Sequence, residues 1–288
     1  MSKYTNYEEK PSTQYDLYRL PVGLELYNGL IRRHVKKDLG DIHLLDLGCG
    51  TGNYSKPLLD EGIGKMTCVD ASQAMLDQCK MKIIGTEHEK KVDFKQVILP
   101  NVPYPEEKFD VIINSYVLHH LVNPEFNESN QQYRVTDWSN IENSIINATK
   151  SLKKNGLFLI LYSTDAQAAG LWYGYFMPKA RSRSVSTCPT PELIGRAAER
   201  AGLKKLTEYG MLESHLGDDN KNNEEFFLNN DEAWMQDSIT SCGDEEELER
   251  GKEMVRQLKK EGKLSEFMNS HDGNTDIGFG RIIAFRKV

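Results

Sequence analysis

The chain lacks the features needed to cross a membrane, cross-link itself or gather nucleic acid. No apolar run approaches the ~20 residues that a membrane span needs. Its five cysteines, Cys49, Cys68, Cys79, Cys188 and Cys242, are odd in number and form no C-x-x-C pair. They read as reduced thiols of a cytoplasmic protein. The seven histidines lack zinc-ligand spacing, so no metal site is expected. The adjacent His119 and His120 are expected to diverge on a helix. With a net charge of −7, no basic field draws nucleic acid or an anionic membrane. The opening stretch MSKYTNYEEKPSTQYD is polar and carries acids, which argues against a signal or transit peptide. The expectation is a monomer or homodimer with neither nucleic acid nor membrane as partner.

What is present is concentrated in Leu44-Leu45-Asp46-Leu47-Gly48-Cys49-Gly50-Thr51-Gly52. An apolar run with Ile42, Leu44, Leu45 and Leu47 reads as a buried strand. It ends in three glycines spaced two apart, where a backbone without Cβ atoms can approach a ligand closely. The following residues can open a helix whose free N–H groups point at the same spot. This is a nucleotide-type site at the carboxyl end of a first strand. A dinucleotide fingerprint places its third glycine at position 53, but position 53 is Asn and the glycine falls at 52. Asp46, two residues before the first glycine, repels a pyrophosphate and suits a ligand with a positive end. Asp70 ends the strand-like Met66–Val69 run about 20 residues on, where a carboxylate accepts from ribose hydroxyls. Two acids and a shifted glycine fit S-adenosylmethionine, which has an ammonium, a sulfonium, a ribose diol and no phosphate.

Four segments then carry a resemblance. LLDLGCGTGNYS (44–55), VDASQAML (69–76), VPYPEEKFDVIINSYVLHHL (102–121) and LKKNGLFLILYS (152–163) resemble class I S-adenosylmethionine-dependent methyltransferases. The likeness is to the small-molecule branch that includes the menaquinone and ubiquinone methyltransferases, and it covers roughly residues 40 to 165.

Strands are expected near 42–47, 66–70, 92–97, 109–114 and 157–163, with helices near 21–37, 53–61, 72–84, 139–153 and 191–201. This alternation predicts an α/β fold, a doubly wound Rossmann-like sheet. LKKLTEYGM reads as a sixth strand and IGFGRIIAFRKV as a last one. The resemblance implies seven mostly parallel strands, the last antiparallel and beside the fifth. Residues 212–276 form an unusually long connection, with an amphipathic helix near 244–261. The expected organisation is an N-terminal cofactor-covering segment and helix (1–38), a cofactor-binding core (39–211 and 277–288) and a cap insertion (212–276). A decorative or dimerising insertion is the alternative.

The resemblance assigns roles residue by residue. Gly48, Cys49, Gly50 and Gly52 form the turn under the methionine part of S-adenosylmethionine. Asp46 orients that turn and draws the ammonium, or is a structural turn carboxylate. Asp70 accepts the ribose hydroxyls, while Ala71 and Met75 pack on adenine. Where the family commonly places an acid for the adenine amino group, this chain has Ile98 and Leu99, so backbone groups and apolar packing replace it unless Asn101 is displaced into that role. Asn114 and Ser115 line the pocket near the sulfonium. Tyr15 and Arg19 lie in a segment that resembles one closing over the cofactor. His119 or His120 is a weak candidate for a general base, or an ordinary helix histidine. The aromatic and basic stretch 170–184 supplies Trp172, Tyr173, Tyr175, Arg181 and Arg183 to the acceptor, or anchors the cap helix.

The reading is therefore a methyltransferase acting on a small molecule. The alternatives are an RNA or protein methyltransferase, or an S-adenosylmethionine-binding protein with another role.

Overall fold

The computed structural model describes residues 15–214, 216, 223–229, 239–272 and 277–288. The N-terminal stretch before Tyr15 and most of the acidic stretch from 217 to 232 lie outside them.

Alternating apolar runs build one seven-stranded sheet. Its strands are β1 (His43–Leu47), β2 (Lys65–Asp70), β3 (Val92–Gln96), β4 (Phe109–Ser115), β7 (Leu152–Tyr162), β8 (Leu203–Met211) and β9 (Gly280–Lys287). The order is β3-β2-β1-β4-β7-β9-β8. β1 pairs in parallel with both β2 and β4, and β4 with β7. β9 runs antiparallel between β7 and β8. The expected mostly parallel sheet with an antiparallel last strand beside the fifth is present.

Period-two alternation splits the strand side chains between two helical layers. Leu45, Leu47, Ile112, Phe158, Ile160, Ile283 and Phe285 share a core with α5 (Ser139–Ser151) and α8 (Pro191–Arg200). Leu44, Cys68, Val111, Ile113, Leu159, Leu161 and Ile282 share the other core with α2 (Leu24–His34), α3 (Ser55–Asp60) and α4 (Gln73–Ile83). Helix starts follow local chemistry. The Ser72 hydroxyl accepts from Met75 N–H at α4, and Thr190 with Pro191 opens α8.

Two features were not expected. A small hairpin, β5 (Glu125–Asn127) with β6 (Gln132–Arg134), follows β4. The stretch after β7 is itself helical, with α6 (Asp165–Ala169) and α7 (Pro178–Ser186) flanking a 3-10 turn over Trp172–Phe176. The connection beyond β8 holds α9 (Glu224–Asn229), α10 (Glu245–Lys260) and α11 (Leu264–His271). Trp172, Tyr173, Phe176 and Met177 pack with Phe227, Ile239, Val255 and Leu264 in a separate apolar cluster. Glu247 of α10 is buried, and its carboxylate accepts the backbone N–H groups of Lys179 (2.7 Å) and Ala180 (3.2 Å). A carboxylate on the orphan donors of α7 satisfies them and complements the positive end of the helix dipole, which docks α10 at that point.

Candidate functional site

The sheet reverses its winding between β1 and β4, and a cleft opens there at the carboxyl ends of the strands. It encloses about 660 Å3, part of it open to solvent. Its lining brings together Tyr15, Gly48, Gly50, Asp70, Ala71, Met75, Leu99, Ser115 and His120 from the residues singled out in the sequence. Val69, Val97, Tyr116 and Val117 complete it.

The glycine turn is held from behind. Gly48 and Cys49 both donate backbone N–H to the Val69 carbonyl, at 2.8 and 2.9 Å. Gly48, Gly50 and Gly52 all have positive φ, +88°, +53° and +83°. A Cβ on Gly48 would stand 2.3 Å from Val117 Cγ2, and one on Gly52 2.7 Å from Cys79 Sγ, whereas one on Gly50 would meet nothing within 4 Å. Gly48 and Gly52 therefore serve close packing, and Gly50 leaves room for a ligand.

Asp70 links turn and cleft. One carboxylate oxygen accepts Gly50 N–H and the other accepts Ser72 N–H, each at 2.9 Å. Each oxygen keeps a lone pair for a further donor, the pattern a vicinal diol matches. Burial pushes the Asp70 carboxyl up from its ordinary value, and the backbone N–H groups of Ser72, Gly50 and Ala71 oppose that shift. Val69, Met75, Val97 and Leu99 supply the apolar wall. The three positions expected to replace the adenine acid part company: Leu99 lines the cleft, whereas Ile98, 61% exposed, and Asn101, also exposed, do not.

Asp46 is not on the cleft wall. It is buried, accepts the Ser55 hydroxyl at 2.6 Å, and is pushed up to about 7 by burial. Its carboxylate joins β1 to the start of α3, the structural alternative for this residue. Asn114 is also buried, and its side-chain N–H donates to the Leu47 carbonyl at 2.7 Å, tying β4 to the last residue of β1. Cys49 and Gly52 lie in the turn without lining the cleft.

The N-terminal segment closes one side. Tyr15, in the single turn α1 (Tyr15–Tyr18), faces the cleft, and burial pushes its phenol up while Arg19 opposes the shift. Arg19 acts the same way on Tyr116 and so lies near both rings without lining the cleft. The Asn53 side-chain N–H donates to the Arg19 carbonyl at 2.9 Å. Thr51 donates to Asp16 at 2.6 Å, and Lys82 of α4 reaches Asp16 at 2.6 Å and Asn53 at 2.8 Å.

The two histidines do not diverge as expected. Leu118–His120 is a 3-10 turn rather than a helix, and the His119 and His120 ring centroids stand 3.9 Å apart. His120 lines the cleft; His119 does not. Tyr116, missed in the sequence, has a left-handed backbone with φ 57° and faces the cleft. Its one sequence signal is an aromatic immediately after the apolar β4 run.

None of Trp172, Tyr173, Tyr175, Arg181 and Arg183 lines the cleft. Trp172 and Tyr173 are buried beside Phe227, at centroid distances of 5.7 and 6.1 Å. Tyr175 is 41% exposed, with the Arg181 guanidinium 4.3 Å over its ring and donating to the Ala169 carbonyl. Arg183 lies 5.7 Å over Tyr133 of the hairpin. This geometry is that of an anchor for the long connection.

Residues 44–136 match the family model described as "Methyltransferase domain". That stretch is a methyltransferase domain. A ubiquinone biosynthesis O-methyltransferase of Pelagibacter ubique is 30% identical over 128 residues, 44% of this chain and 45% of that protein. The aligned part spans about half the length of the curated relatives it matches. A solved structure from Anabaena variabilis, named as a candidate methyltransferase of an antibiotic biosynthesis pathway, superposes with a TM-score of 0.70 at 18% identity, covering 94% of this chain and 99% of that one. A geranyl diphosphate C-methyltransferase from Streptomyces coelicolor, solved with Mg2+, geranyl diphosphate and S-adenosyl-L-homocysteine, gives 0.51 at 11% identity, covering 92% and 79%. The fold of these structures therefore extends over nearly the whole chain. Among its described residues no helix is long and apolar enough to cross a membrane.

Proposed function

We propose that the protein transfers a methyl group from S-adenosylmethionine to a small-molecule acceptor, in the cytoplasm. The observation that carries this reading is Asp70, with two half-used carboxylate oxygens, facing one cleft with Gly50, Met75 and Leu99. Asp70 would take the ribose diol, Gly48 and Gly50 would lie under the methionine part, and Met75 and Leu99 would hold adenine. Tyr15 and Tyr116 would flank the sulfonium. The donor methyl is already activated, so transfer needs alignment and a dry pocket more than proton movement. His120, the cleft histidine, would accept a proton from an acceptor that must lose one. The curated relative's quinone-pathway name supports a small acceptor, as does the net charge of −7. The division into the segment 1–38, the core and a cap over 212–276 remains part of the proposal, supported by the packing of α10 and α11 on the Trp172–Phe176 turn.

Calorimetry with S-adenosylmethionine, S-adenosylhomocysteine and NAD tests the cofactor. The first two should bind at micromolar-type affinity and NAD should not; NAD binding without the methyl donor would overturn the reading. A metabolite screen with labelled methyl donor then tests transfer.

A further inference from the structure

Behind the glycine turn, three cysteines from three elements converge. Cys49 comes from the turn, Cys68 from β2 and Cys79 from α4. Their Sγ atoms all lie within 4.8 Å of one another, and no other group of three His, Cys, Asp or Glu side chains among the described residues meets that spacing. Cys68 and Cys79 are fully buried and Cys49 is 7% exposed. The close approach depends on Gly52, because a Cβ there would press on Cys79 Sγ at 2.7 Å. The Ser55 hydroxyl sits 3.2 Å from Cys68 Sγ.

Three thiols at this spacing form a ligand set. Sulfurs about 2.3 Å from one ion at trigonal angles stand about 4 Å apart, so small side-chain shifts complete the geometry. Thiolates select soft ions such as Cu+ and Zn2+. Zn2+ in structural sites takes four ligands, and no imidazole or carboxylate joins these three sulfurs. A three-sulfur set suits the monovalent ion better. We propose that Cys49, Cys68 and Cys79 form a binding site for a soft monovalent cation of the Cu+ type, behind the turn that faces the cleft. Each thiol that ligates releases its proton to solvent, and no electron changes hands. The bound ion ties the turn to β2 and α4. The site does not depend on the methyl-transfer reading.

Ag+ is a suitable probe, with the same charge and softness and no redox chemistry under these conditions. It is titrated into the full-length, reduced Cys188→Ser/Cys242→Ser variant against a weak chelator, without oxygen or free thiol. Binding is followed by thiolate-to-metal ultraviolet absorption and native mass. One tight equivalent is expected. It should be lost in Cys49→Ser and in Cys79→Ala on the same background, each checked for fold by circular dichroism. Two single variants guard against one that fails to fold. Absence of the tight equivalent, or its survival in both single variants, would overturn the site. Zn2+ displacing Ag+ at equal concentration would overturn its monovalent selectivity.

Discussion

Lys82 Nζ lies 2.6 Å from Asp16 Oδ2, so a helix behind the glycine turn grips the segment that closes the cleft in front of it. Thr51 and Asn53 join the same network from the turn. The pair is about one-third exposed on each side, so its own worth is small. Its effect comes through the placement of Tyr15. Lys82→Met should keep the fold and weaken S-adenosylmethionine binding on the order of 3- to 10-fold, about 0.7–1.4 kcal/mol. Lys82→Arg should restore most of it. Calorimetry beside thermal unfolding checks this, and unchanged affinity in Lys82→Met would detach the segment from cofactor binding.

Asp70→Ala should cost on the order of 1–3 kcal/mol of cofactor affinity, because the ribose hydroxyls lose their acceptor. The Gly50 and Ser72 N–H groups are orphaned at the same time. Full affinity in a well-folded variant would remove the ribose assignment.

The three glycines should respond differently. Gly50→Ala has open space and a positive φ, so it should fold with about 1 kcal/mol of strain and bind cofactor poorly. Gly48→Ala must displace Val117 and should lower the melting temperature clearly more. Equal melting temperatures for the two would contradict the packing role of Gly48.

Trp172→Ala should act on stability. A buried Trp truncated to Ala in an aromatic cluster costs about 3–5 kcal/mol. Limited proteolysis should then cut earlier in the connection beyond β8. Unchanged stability with a raised acceptor KM would return Trp172 to the acceptor site.

Asp46 makes stability pH-dependent. Its folded pKa, about 7, lies above the ordinary carboxylate value. Between about pH 4 and 7 the folded state holds a proton that the unfolded state has released. Its contribution is therefore full at low pH and lost as pH rises through that window. Asp46→Asn should gain stability relative to the parent chain across it. Parallel denaturation curves at pH 5 and pH 8 showing no relative change would disprove the shift.

The fold was legible because its signals are local and repetitive. Leu44, Leu45 and Leu47, like Val111, Ile112 and Ile113, divide between two buried faces, and Ser72 and Thr190 cap as their sequence positions suggest. The spacing of Gly50 and Asp70 placed both at one cleft for the same reason. The Trp172–Arg183 stretch was harder to read, because an aromatic-rich segment looks alike as ligand wall and as packing surface. What separates the two is a partner far along the chain, such as Phe227 or Glu247. The side-by-side rings of His119 and His120 depended on the chain taking a 3-10 turn, which periodicity does not reveal.

The placement of β9 between β7 and β8 has a consequence for vectorial synthesis. β8 leaves the ribosome before the whole segment 212–279 and lacks a hydrogen-bonding neighbour in the sheet until β9 follows. Until then β7 also presents an open edge, the kind of surface that pairs with other nascent chains. The cleft-forming strands β1 to β4 are already synthesised at that stage. A stalled chain ending before Gly280 should therefore bind the chaperones that guard strand edges and let go of them once β9 emerges; ribosome-bound chains of graded length would show the release point.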